Sequence, residues 1–252
     1  MKKTVIFLFC ALLTSFTNNT FKREQLKYPH VQAAYKEKWN MMKAKLQKAG
    51  VDTSHFEICI MVFKKEAQLQ VWAKNTEKGA AGKAAQYNLV ETYPICRSSG
   101  TLGPKRREGD GQVPEGFYYV NAFQPSSEFY LALEVSYPNK SDLILSDKAH
   151  PGGEIMIHGN CVTIGCMPLT DDKIKEVYLM AVEARNNGQQ SIPVCIFPTP
   201  LTDKGMAWLK NNVNAPEKIN FWNNLKMGYT YFETNKSLPK IGVDSKGNYT
   251  YE

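Results

Sequence analysis

The chain has 252 residues, of which 43% are hydrophobic and 22% are charged. This composition is typical of a globular protein and excludes extensive disorder, and the length suffices for one domain with a substantial core. The formal net charge is +7, but we find no long basic run and no nucleic-acid motif, so we expect no nucleic-acid partner. The modest positive excess suits an anionic partner in the cell envelope.

Residues 1–20 have the pattern of a secretory signal peptide. The start is basic at Lys2 and Lys3, the run from Val5 to Leu13 is apolar, and polar residues follow as far as Thr20. An apolar run of this length is too short to cross a bilayer, and the chain has no longer one. We therefore predict an exported protein of the periplasm or cell envelope with no stable membrane span.

The remaining chain reads as an N-terminal helical segment over 21–50 and one domain over 51–252 with a C-terminal helical extension. Apolar residues at helical spacing predict a helix from Val31 to Ala49. Two-residue alternation or continuous apolar runs predict strands over Glu57–Phe63, Leu69–Ala73, Tyr87–Tyr93, Phe117–Phe123, Phe129–Val135 and Ser191–Phe197.

Three further helices and two long loops complete the prediction. Helical spacing covers Asp171 to Arg185, and two short helices are expected at 203–212 and 217–234. The segments 97–116 and 142–153 are expected to be loops, and so long an irregular segment as the first is usually functional. The first three strands should be antiparallel neighbours. The fold class is therefore α+β, with a mainly antiparallel, sandwich-like sheet.

The cysteines limit the chemistry. After the leader five remain, an odd number, so at least one thiol should be unpaired in an exported protein. Cys59 and Cys195 lie in apolar runs and are expected to be buried thiols. Cys161 could form a disulfide with Cys166 or act as its redox partner. No His or Cys pairs at zinc spacing occur, so no metal is expected.

The segment 155–166 is the most informative part of the chain. An apolar run leads to His158 at a turn, and the return presents Cys166 beside Gly165. A thiol becomes a nucleophile when a neighbouring base promotes its thiolate, and His158 is the predicted base. Gly165 would leave room for a substrate near the backbone, and the adjacent N–H groups would hold an oxyanion. Thr163 either orients His158 or supports the turn.

These residues carry a family resemblance. Ile157-His158-Gly159 followed by Thr163-x-Gly165-Cys166 resembles the signature of the L,D-transpeptidase (YkuD-type) catalytic domain, and is most similar to the murein-acting subgroup with a short His-to-Cys loop. The segments 102–105 and 114–118 resemble its strand-opening motif. The commoner pattern has a second His two residues before the cysteine and an Arg two residues after it. This chain has Ile164 and Pro168 there.

The resemblance implies a substrate and a reaction. Cys166 would attack the carbonyl that follows the L-centre of diaminopimelate in a peptidoglycan tetrapeptide stem, and His158 would transfer the proton to the leaving amine. An amine acceptor gives a transpeptidase, and water gives a carboxypeptidase. If the diaminopimelate is linked to a cell-wall-anchored protein, that partner is released in an amidase reaction. No metal or organic cofactor is implied.

Because the arginine of the commoner pattern is absent, another cation must bind the substrate carboxylate. Arg97, Lys105 and Arg106 are candidates, although they could equally be solvated loop residues. Gly159 and Tyr118 are further candidate substrate-binding residues. Two other interpretations stay open, namely a cell-wall-binding module that has lost turnover and a structural domain closed by a disulfide between Cys161 and Cys166.

Overall fold

The computed structural model describes residues 20–76 and 85–252. The predicted signal peptide therefore lies, except for Thr20, outside the described residues. None of the helices in these two ranges combines the length and apolarity needed to cross a membrane.

The predicted helices and strands are found, most of them within two residues of their expected bounds. The helices of the described ranges are α1 (Thr20–Gln25), α2 (Pro29–Lys48), α3 (Lys140–Leu145), α4 (Asp171–Asn186), α5 (Asp203–Asn212) and α6 (Pro216–Asn235). The strands are β1 (Phe56–Phe63), β2 (Gln68–Asn75), β3 (Asn88–Pro94), β4 (Gly116–Ser127), β5 (Tyr130–Val135), β6 (Met156–His158), β7 (Met167–Pro168), β8 (Pro193–Phe197), β9 (Ile241–Val243) and β10 (Tyr249–Tyr251).

Strands β1 to β8 form a single sheet in the order β3-β2-β1-β8-β4-β5-β6-β7. The first three strands are antiparallel neighbours, as expected. The pairs β1–β8 and β6–β7 are parallel, and the other pairs are antiparallel. The predicted α+β class with a mainly antiparallel sheet is therefore confirmed.

Strand β1 shows why the sheet lies at the centre of the molecule. Its residues Ile58 and Ile60 belong to an apolar cluster with helices α2 and α4, whereas Cys59 and Met61 belong to a second cluster with α5 and α6. Successive side chains of a strand point to opposite faces, so helices cover both faces of β1. Helices therefore form a layer on each side of this part of the sheet.

Helix α2 is a full part of the core. It packs on α4, and its four completely buried apolar side chains belong to the same apolar cluster as those of α4, at Val31, Ala34, Met42 and Leu46. Each such side chain contributes about 1–3 kcal/mol through burial.

Two parts of the prediction were wrong. The segment 142–153 is not entirely loop, because α3 extends into it, and Asn139 and Asp142 cap α3 reciprocally. The second C-terminal helix is not short, since α6 spans 20 residues. The hairpin of β9 and β10 was missed, because strands of three residues show too little alternation to be recognised.

A buried ion pair fastens the long loop at 97–116 to the core. Lys64 Nζ lies 3.0 Å from Glu115 Oε1 and donates to the carbonyl oxygens of Gly103 and Val113. Glu115 is fully buried, and its Oε2 accepts a 2.6 Å hydrogen bond from Trp222 Nε1. Burial lowers the pKa of Lys64, and the Glu115 charge opposes that shift.

We expect Glu115→Gln to lower the free energy of unfolding by about 3–5 kcal/mol, because it leaves the Lys64 charge buried without its counter-ion. Urea denaturation measures the change. The Lys64→Met/Glu115→Gln double variant should lose less stability than the sum of the two single variants. Simple additivity would show that the two side chains do not interact energetically.

Candidate active site

The sheet brings Cys166 and His158 close together. Strands β6 and β7 are parallel neighbours, with Ile157 opposite Met167 and His158 opposite Pro168. Cys166 directly precedes β7, so in the same register it lies opposite Met156 of β6. Ile157 and Met167 both point into the core. The backbones of Cys166 and His158 therefore lie on adjacent segments, offset by two residues in this register.

His158 is held as a neutral imidazole. It is only 1% exposed, and its ring packs against the Phe129 ring at a centroid distance of 4.6 Å. Its Nδ1 lies 2.5 Å from the carbonyl oxygen of Gly159. A carbonyl oxygen only accepts, so Nδ1 carries the proton and Nε2 is left unprotonated. Burial lowers the pKa of His158, which keeps the imidazole neutral at neutral pH.

The Cys166 thiol is half-buried and protonated. Its Sγ donates to the carbonyl oxygen of Glu154 at 3.5 Å. Burial raises the pKa of Cys166, and the Met156 N–H opposes that shift. Among the contacts of the described residues, no hydrogen bond joins Sγ to the His158 ring. The thiol and the imidazole are therefore both neutral and are not a preformed ion pair.

Thr163 supports the turn that precedes the cysteine. Its Oγ1 accepts hydrogen bonds from the N–H groups of Gly165 at 3.1 Å and Cys166 at 2.8 Å, and it donates to the Cys166 carbonyl oxygen. Of the two roles considered for Thr163, the contacts are those of turn support. In this structure the two N–H groups expected to form an oxyanion hole donate to Thr163 instead.

The two glycines of the motif are needed because the chain packs against itself. Gly165 has a φ of +145°, and a Cβ there would lie 3.2 Å from the carbonyl oxygen of Gln112. At Gly159 a Cβ would lie 2.6 Å from Asp171 Oδ1. The Gln112 backbone therefore closes one side of Gly165, while Gly165 also lines the wall of a cavity. Gly159 acts on the site through its carbonyl oxygen, which orients His158.

The cysteine pairing differs from the expectation. Cys161 is bonded to Cys96, with their Cα atoms 5.6 Å apart, while Cys166 is free. The suggested disulfide between Cys161 and Cys166 is wrong, and Cys161 is not available as a redox partner. Cys59 and Cys195 are free buried thiols, as predicted.

Two cavities meet at Cys166. The first, which we call the apolar cleft, has a volume of about 320 Å³, and its lining includes Val62, Ile95, Leu102, Val113, Met167 and Trp208. The second, the polar cleft, has a volume of about 700 Å³, and its lining includes Lys105, Glu108, His150, Glu154, Ile164 and Gly165. Cys166 belongs to the wall of both clefts. A substrate in either one can therefore reach the thiol.

The candidate substrate-binding residues are only partly brought together. Arg97 lines the apolar cleft and is exposed. Lys105 lines the polar cleft but is 4% exposed and paired with Asp110 at 2.7 Å. Tyr118 is buried and donates its hydroxyl to Asp142, and neither Tyr118 nor His158 lines either cleft.

Some groups of the site were missed by the sequence analysis. Ser99 and Trp208 line the apolar cleft, and Ser99 Oγ is buried without a hydrogen-bond partner in the described part of the chain. The loop that contains Ser99 was recognised as functional, but its individual contacts were not. Arg106, the third candidate cation, is paired with Asp142. Over residues 20–76 and 85–252, no cluster of three potential metal ligands occurs.

Comparison with known proteins finds a family model, a relative and solved structures to which this chain is similar. Residues 58–194 match the family model of the YkuD L,D-transpeptidase catalytic domain. The protein named "Putative L,D-transpeptidase YafK" from Escherichia coli strain K12 is 39% identical over 190 residues, which cover 74% of this chain and 70% of YafK. Among solved structures, the helical cell shape determining protein Pgp2 from Campylobacter jejuni is 17% identical, with a TM-score of 0.44, and the alignment covers 81% of this chain and 80% of Pgp2.

A further solved structure, Bd1075 of Bdellovibrio bacteriovorus, is 18% identical with a TM-score of 0.40, over 77% of this chain and 79% of that one. The residues that match the family model include His158 and Cys166, and Cys166 is the residue that lines both clefts. With the match to the family model and the identity to YafK taken together, the chain belongs to the YkuD family of L,D-transpeptidase catalytic domains.

Proposed function

We propose that this chain is an exported cysteine acyltransferase that acts on peptidoglycan tetrapeptide stems. The observation that carries the proposal is a free thiol that lines two clefts, directly before a strand that pairs with the strand of a buried imidazole. The Cys96–Cys161 disulfide supports export, because disulfides persist mainly in oxidising compartments.

In the first half of the reaction, Cys166 Sγ attacks the carbonyl carbon that follows the L-centre of diaminopimelate. As the S–C bond forms, the thiol proton passes to His158 Nε2, and the imidazolium then protonates the leaving amine of D-alanine. The product is a thioester. The Gly165 and Cys166 N–H groups would hold the oxyanion in competition with Thr163 Oγ1, to which both donate. Removal of one oxyanion-hole donor typically raises the activation free energy by about 3–4 kcal/mol.

The two clefts suit different partners. The apolar cleft contains Arg97, for which the described residues provide no ion pair, and the unsatisfied Ser99 hydroxyl. These groups suit the carboxylates and amides of a donor stem. The polar cleft contains Glu108 and Glu154, whose carboxylates attract an ammonium group. We therefore assign the donor stem to the apolar cleft and the acceptor amine, or water, to the polar cleft.

We expect Arg97→Ala to raise KM for a tetrapeptide stem by about 10- to 100-fold with little change in kcat, because a charge-assisted hydrogen bond is worth about 1.5–3 kcal/mol. Steady-state kinetics measure both constants. Arg107→Ala is the matched control, since Arg107 is an exposed arginine of the same loop that lines neither cleft. An equal effect in both variants would contradict the assignment.

The decisive experiment incubates the purified protein with tetrapeptide-stem muropeptides, with and without an amine acceptor. Intact-mass spectrometry detects the thioester, and chromatography identifies the products. New dimers indicate a transpeptidase, and tripeptide alone indicates a carboxypeptidase. Release of a peptide linked to diaminopimelate indicates an amidase. The same products from Cys166→Ala would rule the mechanism out.

A second candidate is a module that binds stems without turnover. It is favoured by the raised pKa of Cys166 and by the pairing of its N–H with Thr163. Such a module would bind muropeptides in a titration while the intact mass of the protein stays unchanged. A thioester adduct would exclude it.

A further inference from the structure

We propose that the Cys96–Cys161 disulfide is a positioning element of the active site. In this role it holds the loop between His158 and Cys166, together with the start of the apolar-cleft wall, in the arrangement that turnover requires. This inference rests on the function proposed above.

The connectivity places the disulfide between parts of the site. Cys161 lies in the loop at 159–165 that joins the base to the nucleophile, and Cys96 directly precedes Arg97 of the apolar cleft. The backbone N–H of Cys96 also donates to the carbonyl oxygen of Pro168 at 3.0 Å, and Cys96 Sγ lies 3.5 Å from the same oxygen. The disulfide therefore ties the end of β3 to the loop beside β7.

The loop has few other attachments. Val162 is 41% exposed and Ile164 is 88% exposed, so neither anchors the loop in the core. At its start the Asn160 N–H donates to Asp171 Oδ1 at 2.8 Å, and at its end Thr163 holds the turn. Between these two attachments, the disulfide at Cys161 is the covalent restraint. Loss of this restraint should increase the motion of the loop more than that of the core.

Freedom of this loop would affect both reacting groups. The Gly159 carbonyl oxygen that orients His158 belongs to the loop, and Cys166 ends it. A displacement of about 1 Å between reacting groups can cost roughly 10²-fold in rate. A looser loop also exposes the thiol, which removes part of the burial that raises the pKa of Cys166. Turnover should fall while reactivity towards a small alkylating agent rises.

The test uses the Cys96→Ser/Cys161→Ser double variant of the full chain. Both cysteines are replaced because a single variant would leave a thiol near Cys166. We expect kcat to fall by about 10- to 100-fold with a smaller change in KM. Iodoacetamide labelling of Cys166, followed by intact mass, should become faster near neutral pH, with its midpoint moving down towards about 8.5. Thermal unfolding confirms that the variant is folded.

A phosphine reductant provides the second arm. It delivers two electrons to the disulfide, gives two thiols, and is itself oxidised to the phosphine oxide with oxygen from water. It should reproduce both effects on the wild type and change nothing in the double variant, with labelling of Cys166 in the reduced wild type read by peptide mapping because Cys96 and Cys161 are then thiols as well. This arm also applies if the double variant fails to fold.

Unchanged kcat and unchanged labelling in the double variant, or in the reduced wild type, would overturn the proposal. The labelling arm needs no substrate, so it remains informative if the wild type proves inactive on stems. In that case faster labelling would still support positioning of the thiol by the disulfide, while the proposed function alone would fail.

Discussion

Replacement of Cys166 by serine is expected to lower kcat on tetrapeptide stems by about 10⁴-fold or more. The hydroxyl is close to isosteric with the thiol, but it is far less acidic and a much poorer nucleophile at neutral pH. Loss of a catalytic nucleophile typically removes nearly all of the rate enhancement. Initial rates measure the loss, and intact mass shows whether an acyl-enzyme still forms.

The chain offers a matched control for this variant. Cys195 is also a free thiol, but it is 1% exposed in the core on the face covered by α5 and α6. Cys195→Ser should leave kcat near the wild-type value, although a buried hydroxyl is expected to lower the free energy of unfolding by about 1–3 kcal/mol. Substantial turnover in Cys166→Ser would remove the nucleophile from the mechanism.

Replacement of His158 by alanine is expected to lower kcat/KM by about 10²- to 10⁴-fold, which is the usual contribution of a general base. It should also change the pH profile. In the wild type, activity requires a neutral imidazole, and burial places the pKa of His158 below 6.5. Activity should therefore rise with pH through a midpoint below 6.5 and then stay level until the thiol ionises above 9.0.

Without His158, the reactive thiolate must come from direct ionisation of Cys166. The residual rate should then rise about tenfold per pH unit until the raised pKa of Cys166 is reached. His55→Ala is the control, because His55 is an exposed histidine near Asp52, on a turn that lines neither cleft. A level profile in His158→Ala would show that another group is the base.

The sequence predicted the central strand and the reacting pair because both have strong local signals. The run 58–63 is continuously apolar, as expected for a strand buried on both faces, and His158 and Cys166 are separated by only a short loop. What covers β1 could not be predicted, because the assignment of Ile58 and Cys59 to separate clusters depends on helices far away in the chain.

The cysteine pairing shows the limit most clearly. With Cys59 and Cys195 expected in the core, three cysteines remained, and any two of them could have been bonded. The partner of Cys161 is decided by where β3 ends relative to the loop beside β7, and no residue near either cysteine encodes that distance. The hydrogen bonds from two backbone N–H groups to Thr163 could not be predicted either, since a threonine in a loop can take many rotamers.

The packing of α2 bears on how this catalytic unit can be shortened. A chain cut to the family match at 58–194 would keep α4 but lack α2, α5 and α6, so it would expose the face of β1 that α5 and α6 cover and the apolar side chains of α4 that cluster with α2. Truncation from either end would thus bare apolar surface and favour aggregation over folding. We therefore expect the smallest stable unit to be larger than the segment 58–194 that matches the family model.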